Sequence, residues 1–304
     1  MNTLCSNNTN FVQWYANERE SLSQEEIDSF LDKGIELAAQ TDLVDTLSRG
    51  GAVLFPHCSI LSCGDQVSAV VDSCLEACRN TNKNQILIVG VMHPLTPVLQ
   101  KAKRMEREGI HINNPYRGVF GPGLPNEELL CAEFSLDNFV FLLEHAVKRK
   151  GMAMPKIVLR YPFILYGQPN NFPDIEGLKH LAQESIVVGT SDLFHYGTAY
   201  DYYGVLTDNP SEKIPISQKA HTFAREIIQE NLRLLFEGDW HKYIQYCIDT
   251  NSDGRDVGQL LCFLLGPLND HIRDLRLVDV SHFYPDKPQP NWVAATLVEL
   301  KPRK

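Results

Sequence analysis

The feature that most limits what this chain can fold into is a repeated alternation of short apolar runs with helical patterns. "GAVLFPH" (51–57), "QILIVGVMH" (85–93), "KIVLRYPFIL" (156–165) and "SIVVGT" (185–190) are short, continuous and rich in β-branched residues, and they read as strands. Helical patterns separate them at 65–80, at 128–149 ("ELLCAEFSLDNFVFLLEHAVKR") and in a short segment closed by "HLAQ". Further helices are expected over 215–238, 239–248 and 256–266, then "LRLVDVSHF" (275–283) and "NWVAATLVEL" (291–300) as antiparallel neighbours. Apolar strands between helices imply a sheet covered on both faces. The expected fold class is therefore α/β, with a central, largely parallel or mixed sheet flanked by helices. A length of 304 residues admits one large domain or two small ones. No Pro, Gly or Ser-rich linker and no repeat divides it, so one domain over 46–304 is expected, with residues 1–45 as a helical extension. Ser23 with Glu26 forms a capping-box pattern in that extension, where nothing suggests chemistry.

Charge narrows the partners. The formal net charge of −10 argues against a broad phosphate-binding face, because nucleic-acid binding depends on Lys/Arg patches. The one basic run, Lys101 to Arg107, also carries Glu106 and reads as a solvated helix face. The N-terminal "MNTLCSNNTNF" lacks the basic-then-apolar pattern of a signal peptide, and no run approaches the ~18 apolar residues of a membrane span. The expectation is a cytoplasmic protein with reduced, mostly buried thiols, a small-molecule substrate, and neither nucleic-acid nor membrane partners. A homodimer is compatible with the sequence. Cys58, Cys63, Cys74 and Cys78 are a conceivable zinc set, but Cys74 and Cys78 share one face of a helical pattern and read better as core. "GVFGPGLP" (118–125) lacks the lysine and helix start of a phosphate loop and reads as a turn-rich lid or connector. Neither a Gly-x-Ser-x-Gly nor a Gly-x-Gly-x-x-Gly motif follows a strand, which disfavours α/β-hydrolases and dinucleotide enzymes.

Three strand candidates lead into a histidine: His57 after "AVLFP", His93 after "ILIVGVM" and His195 after "IVVGTSDLF". Ligands of open α/β sheets bind outside the carboxyl ends of the strands. If these strands run parallel, the three imidazoles gather along one edge. Singly, each is as well explained by a satisfied core or surface histidine; the repetition is what points to a site.

These segments also resemble a family. "FPHCSILSCG" (55–64) resembles the Pro-His-Ala-Gly-Tyr-x-Tyr-x-Gly segment of the Memo family, which includes proteins like AmmeMemoRadiSam system protein B. "ILIVGVMHP" (86–94) is similar to its Gly-Pro-Ser-His segment, and "CAEFSLDNFVFLLEH" (131–145) to its Glu-His-Ser-Leu-Glu helix. "GTSDLFHYG" (189–197) is similar to Ser-Ser-Asp-x-x-His-x-Gly, the strongest match. "NSDGRDVGQLLCFLL" (251–265) resembles Ile-Cys-Gly-Arg-x-Pro-Ile-Gly with its following helix. The five occur in family order. The family is related to the class III extradiol dioxygenases, which implies a metal pocket at one sheet edge.

The resemblance implies His57 and His93 as metal ligands and His195, preceded by Asp192, as a nearby histidine that assists substrate chemistry. Two positions depart from the pattern. Phe134 stands where the family helix has histidine, between the acidic Glu133 and Asp137, and either shapes a substrate wall or marks a pocket that has drifted. Asp253 stands where the family has cysteine. Two imidazoles and a carboxylate are the set that holds non-haem Fe(II), with copper and zinc as alternatives and O2 as co-substrate. Asp253, like Ser252 and Asp256, is equally placed to cap the next helix. His195 is expected to act as general acid/base. Tyr196 either hydrogen-bonds substrate or packs. Arg255 either neutralises a substrate carboxylate or lies on the surface, and His111 is a loop residue that would line the pocket. The resulting expectation is an oxygenase acting on a small electron-rich molecule, such as a catechol or a metabolite of a biosynthetic pathway. A non-catalytic metal-binding protein working through partners and a metal-dependent hydrolase are the alternatives.

Overall fold

The computed structural model describes residues 9–107, 116–131, 133–167, 175–200 and 213–303. The strands are β1 (Ala52–Phe55), β2 (Gln85–Val89), β3 (Gly118–Phe120), β4 (Lys156–Phe163), β5 (Ile186–Thr190), β6 (His195–Tyr196), β7 (Leu268–Asp279) and β8 (Trp292–Pro302). They form one eight-stranded mixed sheet in the order β3-β4-β2-β5-β1-β8-β6, with β7 also on β8. Its centre, β4-β2-β5-β1, is parallel throughout. The antiparallel members are β3 on β4 at one side and β8 on β1 at the other, with β7 running along β8 for its whole length. Because β7 takes one edge of β8, β1 and the two-residue β6 share its other edge.

The helices are α1 (Thr9–Ser21), α2 (Gln24–Ala39), α3 (Leu43–Ser48), α4 (Ile60–Thr81), α5 (Pro97–Arg107), α6 (Asp137–Lys150), α7 (Ile175–Glu184), α8 (Gln218–Glu237), α9 (Trp240–Asp249) and α10 (Gly254–Leu265). Alternation along the strands divides the core in two. Val53 and Phe55 of β1 join Ile86, Ile88 and Val188 under α2, α4 and α6. Ala52 and Leu54 join Leu87, Val89 and Val187 under α7 to α10. This is the three-layer, single-domain α/β arrangement that the apolar runs imply. Among the described residues no helix is long and apolar enough to cross a membrane.

Several boundaries differ from expectation. The helix expected over 128–149 begins only at Asp137, after a 3-10 turn at Glu127–Leu130. The carboxylate of Glu133 accepts the backbone N–H groups of Phe134 and Ser135, holding that segment in a turn. The Gly/Pro stretch at 118–125 opens with edge strand β3 rather than being a connector throughout. Residues 101–107 are not simply a solvated face. Glu106 is buried, because it turns inward to meet Arg255 and Lys103. Among the described residues six cysteines are free thiols, while Cys131 is disulfide-bonded, a departure from the expectation of reduced thiols. Cys63 donates to the carbonyls of Cys58 and Ser59, as a core thiol does.

Candidate metal centre

The parallel centre of the sheet sends β1, β2 and β5 out at one edge, and the residues that follow them converge there. His57, His93 and Asp253 each offer a ligand atom within 4.8 Å of the others, and Asp192, His195 and Asp253 form an overlapping group. Asp253 Oδ2 lies 3.5 Å from Nε2 of both His57 and His195.

Each imidazole is fixed by a bond at Nδ1. The Thr190 hydroxyl donates to the Phe55 carbonyl at 2.9 Å, so its lone pair is what faces His57 Nδ1 at 3.3 Å. Glu133 Oε1 accepts from His93 Nδ1 at 2.9 Å, and Oε2 accepts from the His93 backbone N–H at 2.7 Å. The Asn251 carbonyl accepts from His195 Nδ1 at 2.6 Å. Asn251 sits at φ 48°, a left-handed conformation that asparagine tolerates. With Nδ1–H engaged in all three rings, Nε2 is the nitrogen left to face the centre of the group. A neighbour that fixes the tautomer and orients the ring is the usual support of a histidine ligand.

Asp253 occupies the N-cap position of α10, but its side chain makes no capping bond. The cap explanation therefore does not account for its carboxylate. Its backbone N–H donates to the Asp192 carbonyl at 3.1 Å, tying the start of α10 to the loop after β5. Asp192 Oδ1 in turn accepts from the His57 backbone N–H at 3.2 Å, and Oδ2 lies 3.8 Å from His57 Nε2. Asp192 thus braces the strand ends. Asp253 keeps 28% of its side chain open, whereas those of His57 and Asp192 are almost closed off.

Electrostatics follow from this crowding. Burial raises the cost of ionising Asp253, but His195, His57 and His93 outweigh it and hold the carboxyl well below its ordinary range. Burial works against a charged His93, yet Glu133 prevails and pushes it up to about 9. Glu133 is held low by the same pair despite its burial.

The group opens into a cavity of about 450 Å³. One wall is an aromatic stack: Tyr15 lies 4.9 Å from Phe134, and Phe134 lies 4.7 Å from the His93 ring at 12°. Tyr200 also lines the cavity, leaning on His195 at 4.6 Å and meeting Tyr284 edge-on at 5.5 Å. Phe134 is thus a cavity wall. Glu133 does not line the cavity; it stands behind His93 and orients it. Tyr196 does not line the cavity either. Its ring stacks on Trp292 at 4.7 Å and its hydroxyl accepts from the Ile214 N–H, on the side of the sheet where α8 packs. Arg255 lines the cavity but is buried, bonded to Glu106 and Asp256 rather than lying at the surface. His111 lies outside the described residues.

The sequence reading missed Tyr15, Thr190, Tyr200, Asn251, Lys103 and Glu106. Thr190 and Asn251 lie within segments that carry the resemblance, although the motif gives neither a role; Tyr15, Tyr200, Lys103 and Glu106 lie in no motif, and each of the six reaches the site through tertiary packing. Tyr15 shows that the N-terminal extension, where nothing in the sequence suggests chemistry, contributes a wall of the cavity. Comparison with the models of known protein families gives no match, and comparison with curated proteins gives none at a significant level.

Proposed function

We propose that this chain is a mononuclear non-haem Fe(II)-dependent oxygenase acting with O2 on a small electron-rich metabolite, as its resemblance to the Memo family and the class III extradiol dioxygenases implies. The observation that carries this reading is the donor set. Two imidazoles, each oriented by a bond at Nδ1, and one ionised carboxylate converge in the lining of a cavity, and this is the combination suited to Fe(II). His57, His93 and Asp253 would hold the ion. What a ferrous ion contributes when bound is electron transfer between an electron-rich substrate and O2.

The chain's own residues do the remainder. His195, with its proton kept on Nδ1 by the Asn251 carbonyl, presents Nε2 as a base to a substrate hydroxyl and later returns the proton. Tyr15, Phe134 and Tyr200 seat a planar apolar body and exclude water. Asp192 holds the loops after β1 and β5 together, fixing the distance between base and ligands.

The test is anaerobic loading with Fe(II) followed by nitric oxide. A high-spin nitrosyl signal is expected by electron paramagnetic resonance, abolished in His57→Ala and Asp253→Ala and retained in His195→Ala. No signal from the unaltered protein would rule out the reading. Turnover of a substrate without O2 would favour the hydrolase alternative instead.

A further inference from the structure

We propose that Lys103 and Arg255 form an anion-recognition end in this cavity, so that its ligand is a small organic carboxylate with an apolar body. The inference deepens the proposed function and rests on it only in taking the cavity as the substrate's seat.

Four charged side chains line the cavity together with the histidine and aspartate group: Lys103, Glu106, Arg255 and Asp256. They are balanced in charge but not in hydrogen bonding. Asp256 is saturated: Oδ1 accepts from Leu165 N–H at 2.9 Å, and Oδ2 from Ile164 N–H at 3.1 Å and from Arg255 Nε at 3.2 Å and Nη2. Glu106 has both oxygens engaged, Oε1 by Arg255 Nη1 at 2.6 Å and Oε2 by Lys103 Nζ at 3.0 Å.

The cations retain capacity. An ammonium has three N–H donors and a guanidinium five. Among the described residues, Lys103 meets one carboxylate and leans toward the Phe163 ring at 6.0 Å, while Arg255 commits three of its donors. Lys103 also keeps 29% of its side chain open. A ligand that brings acceptors can take up these remaining donors. Burial and the neighbouring Arg255 pull the Lys103 ammonium down, and an incoming anion supplies the opposing charge.

The scaffold holds the cluster firmly. Ile164 is β-branched yet sits at φ 54°, a strained conformation, and Asp256 takes its N–H. The buried charges of Glu106, Arg255 and Asp256 are no more stabilising than well-packed apolar groups would be, so stability alone does not account for them. Phe163, Phe134, His195 and Asp253 line the same cavity, so a ligand held by its carboxylate here shares that space with the histidine and aspartate group.

The probes are benzoate and its neutral isostere benzamide, titrated calorimetrically into the chelator-treated full chain. Benzoate is expected to bind saturably and benzamide roughly tenfold or more weakly. Lys103→Met should remove that preference and Lys103→Arg should keep it, both with unchanged circular dichroism. Equal affinity for the two probes, no saturable benzoate binding up to roughly 50 mM, or benzoate binding unaffected by Lys103→Met would overturn the proposal. Inorganic phosphate binding as tightly as benzoate would overturn the organic-acid assignment. If Lys103→Met fails to fold, Lys103→Gln and the two-probe comparison on the unaltered chain decide. The nitrosyl signal reports on the iron site separately: its absence with benzoate binding intact sinks only the oxygenase reading, and the reverse result sinks only this one.

Discussion

His93 and Glu133 show how a single residue pair governs the site. Glu133 accepts the His93 backbone N–H and its Nδ1–H, so Glu133→Gln loses the charge that orients the ring without changing its shape. Loss of such a supporting carboxylate lowers metal affinity by about 10–100-fold; competition against a chromophoric chelator measures it. The pair also sets a pH dependence. His93 is raised in the folded state to about 9, so its contribution is complete below the unfolded value of ~6.5 and is lost as pH rises through about 9. Glu133 is lowered, so its share is present above its unfolded value of ~4.3 and is lost as pH falls through the depressed one. The melting temperature of the metal-free protein should therefore fall between about pH 6.5 and 9, while metal affinity rises over that window as the ion displaces the His93 proton. A melting temperature that is flat across it, and unaltered in Glu133→Gln, would contradict the coupling.

At the scale of elements, the four strands of the parallel centre and the late pair were legible, whereas the short β3 and β6, the first half of β7 and the turns were not. Continuous runs such as "QILIV" have one physical solution in an α/β chain, a strand covered on both faces. The start of α6 was not legible, because Glu133 withdraws backbone donors from a sequence that is otherwise helical. The carboxyl end of β2 is just as specific. Gly90 donates to the Arg160 carbonyl at 2.8 Å, and a Cβ there would stand 2.5 Å from the buried Tyr161 ring. A rigid ring cannot yield cheaply, so Gly90→Ala should cost about 1–3 kcal/mol in denaturant unfolding and weaken metal binding by displacing the segment that carries His93. Unchanged stability would mean that this end of β2 is free to shift.

For the whole molecule, the N-terminal extension is part of the site. Arg19 reaches Asp137 and Asn138 at 3.0 and 3.1 Å, the Ser59 hydroxyl donates to Glu18 at 2.9 Å, and between them Tyr15 closes the stack on Phe134. Tyr15→Ala should leave the nitrosyl signal in place, since it touches no metal donor, but weaken benzoate binding by opening the wall; loss of the signal would show that α1 shapes the ligand set itself. Composition and pattern were sufficient for the layers: apolar runs of strand length between amphipathic helices can be buried in few other ways. The three histidines at strand ends, and the aspartate before α10, were likewise visible from the chain alone. Only the tertiary structure decided which nitrogen of each ring is free, that Tyr196 faces Trp292, and that Arg255 and Glu106 meet inside a cavity. The reason is one of range. Strand and helix follow from neighbours along the chain, whereas a hydrogen bond between residues 40 to 150 positions apart depends on where the sheet order brings them.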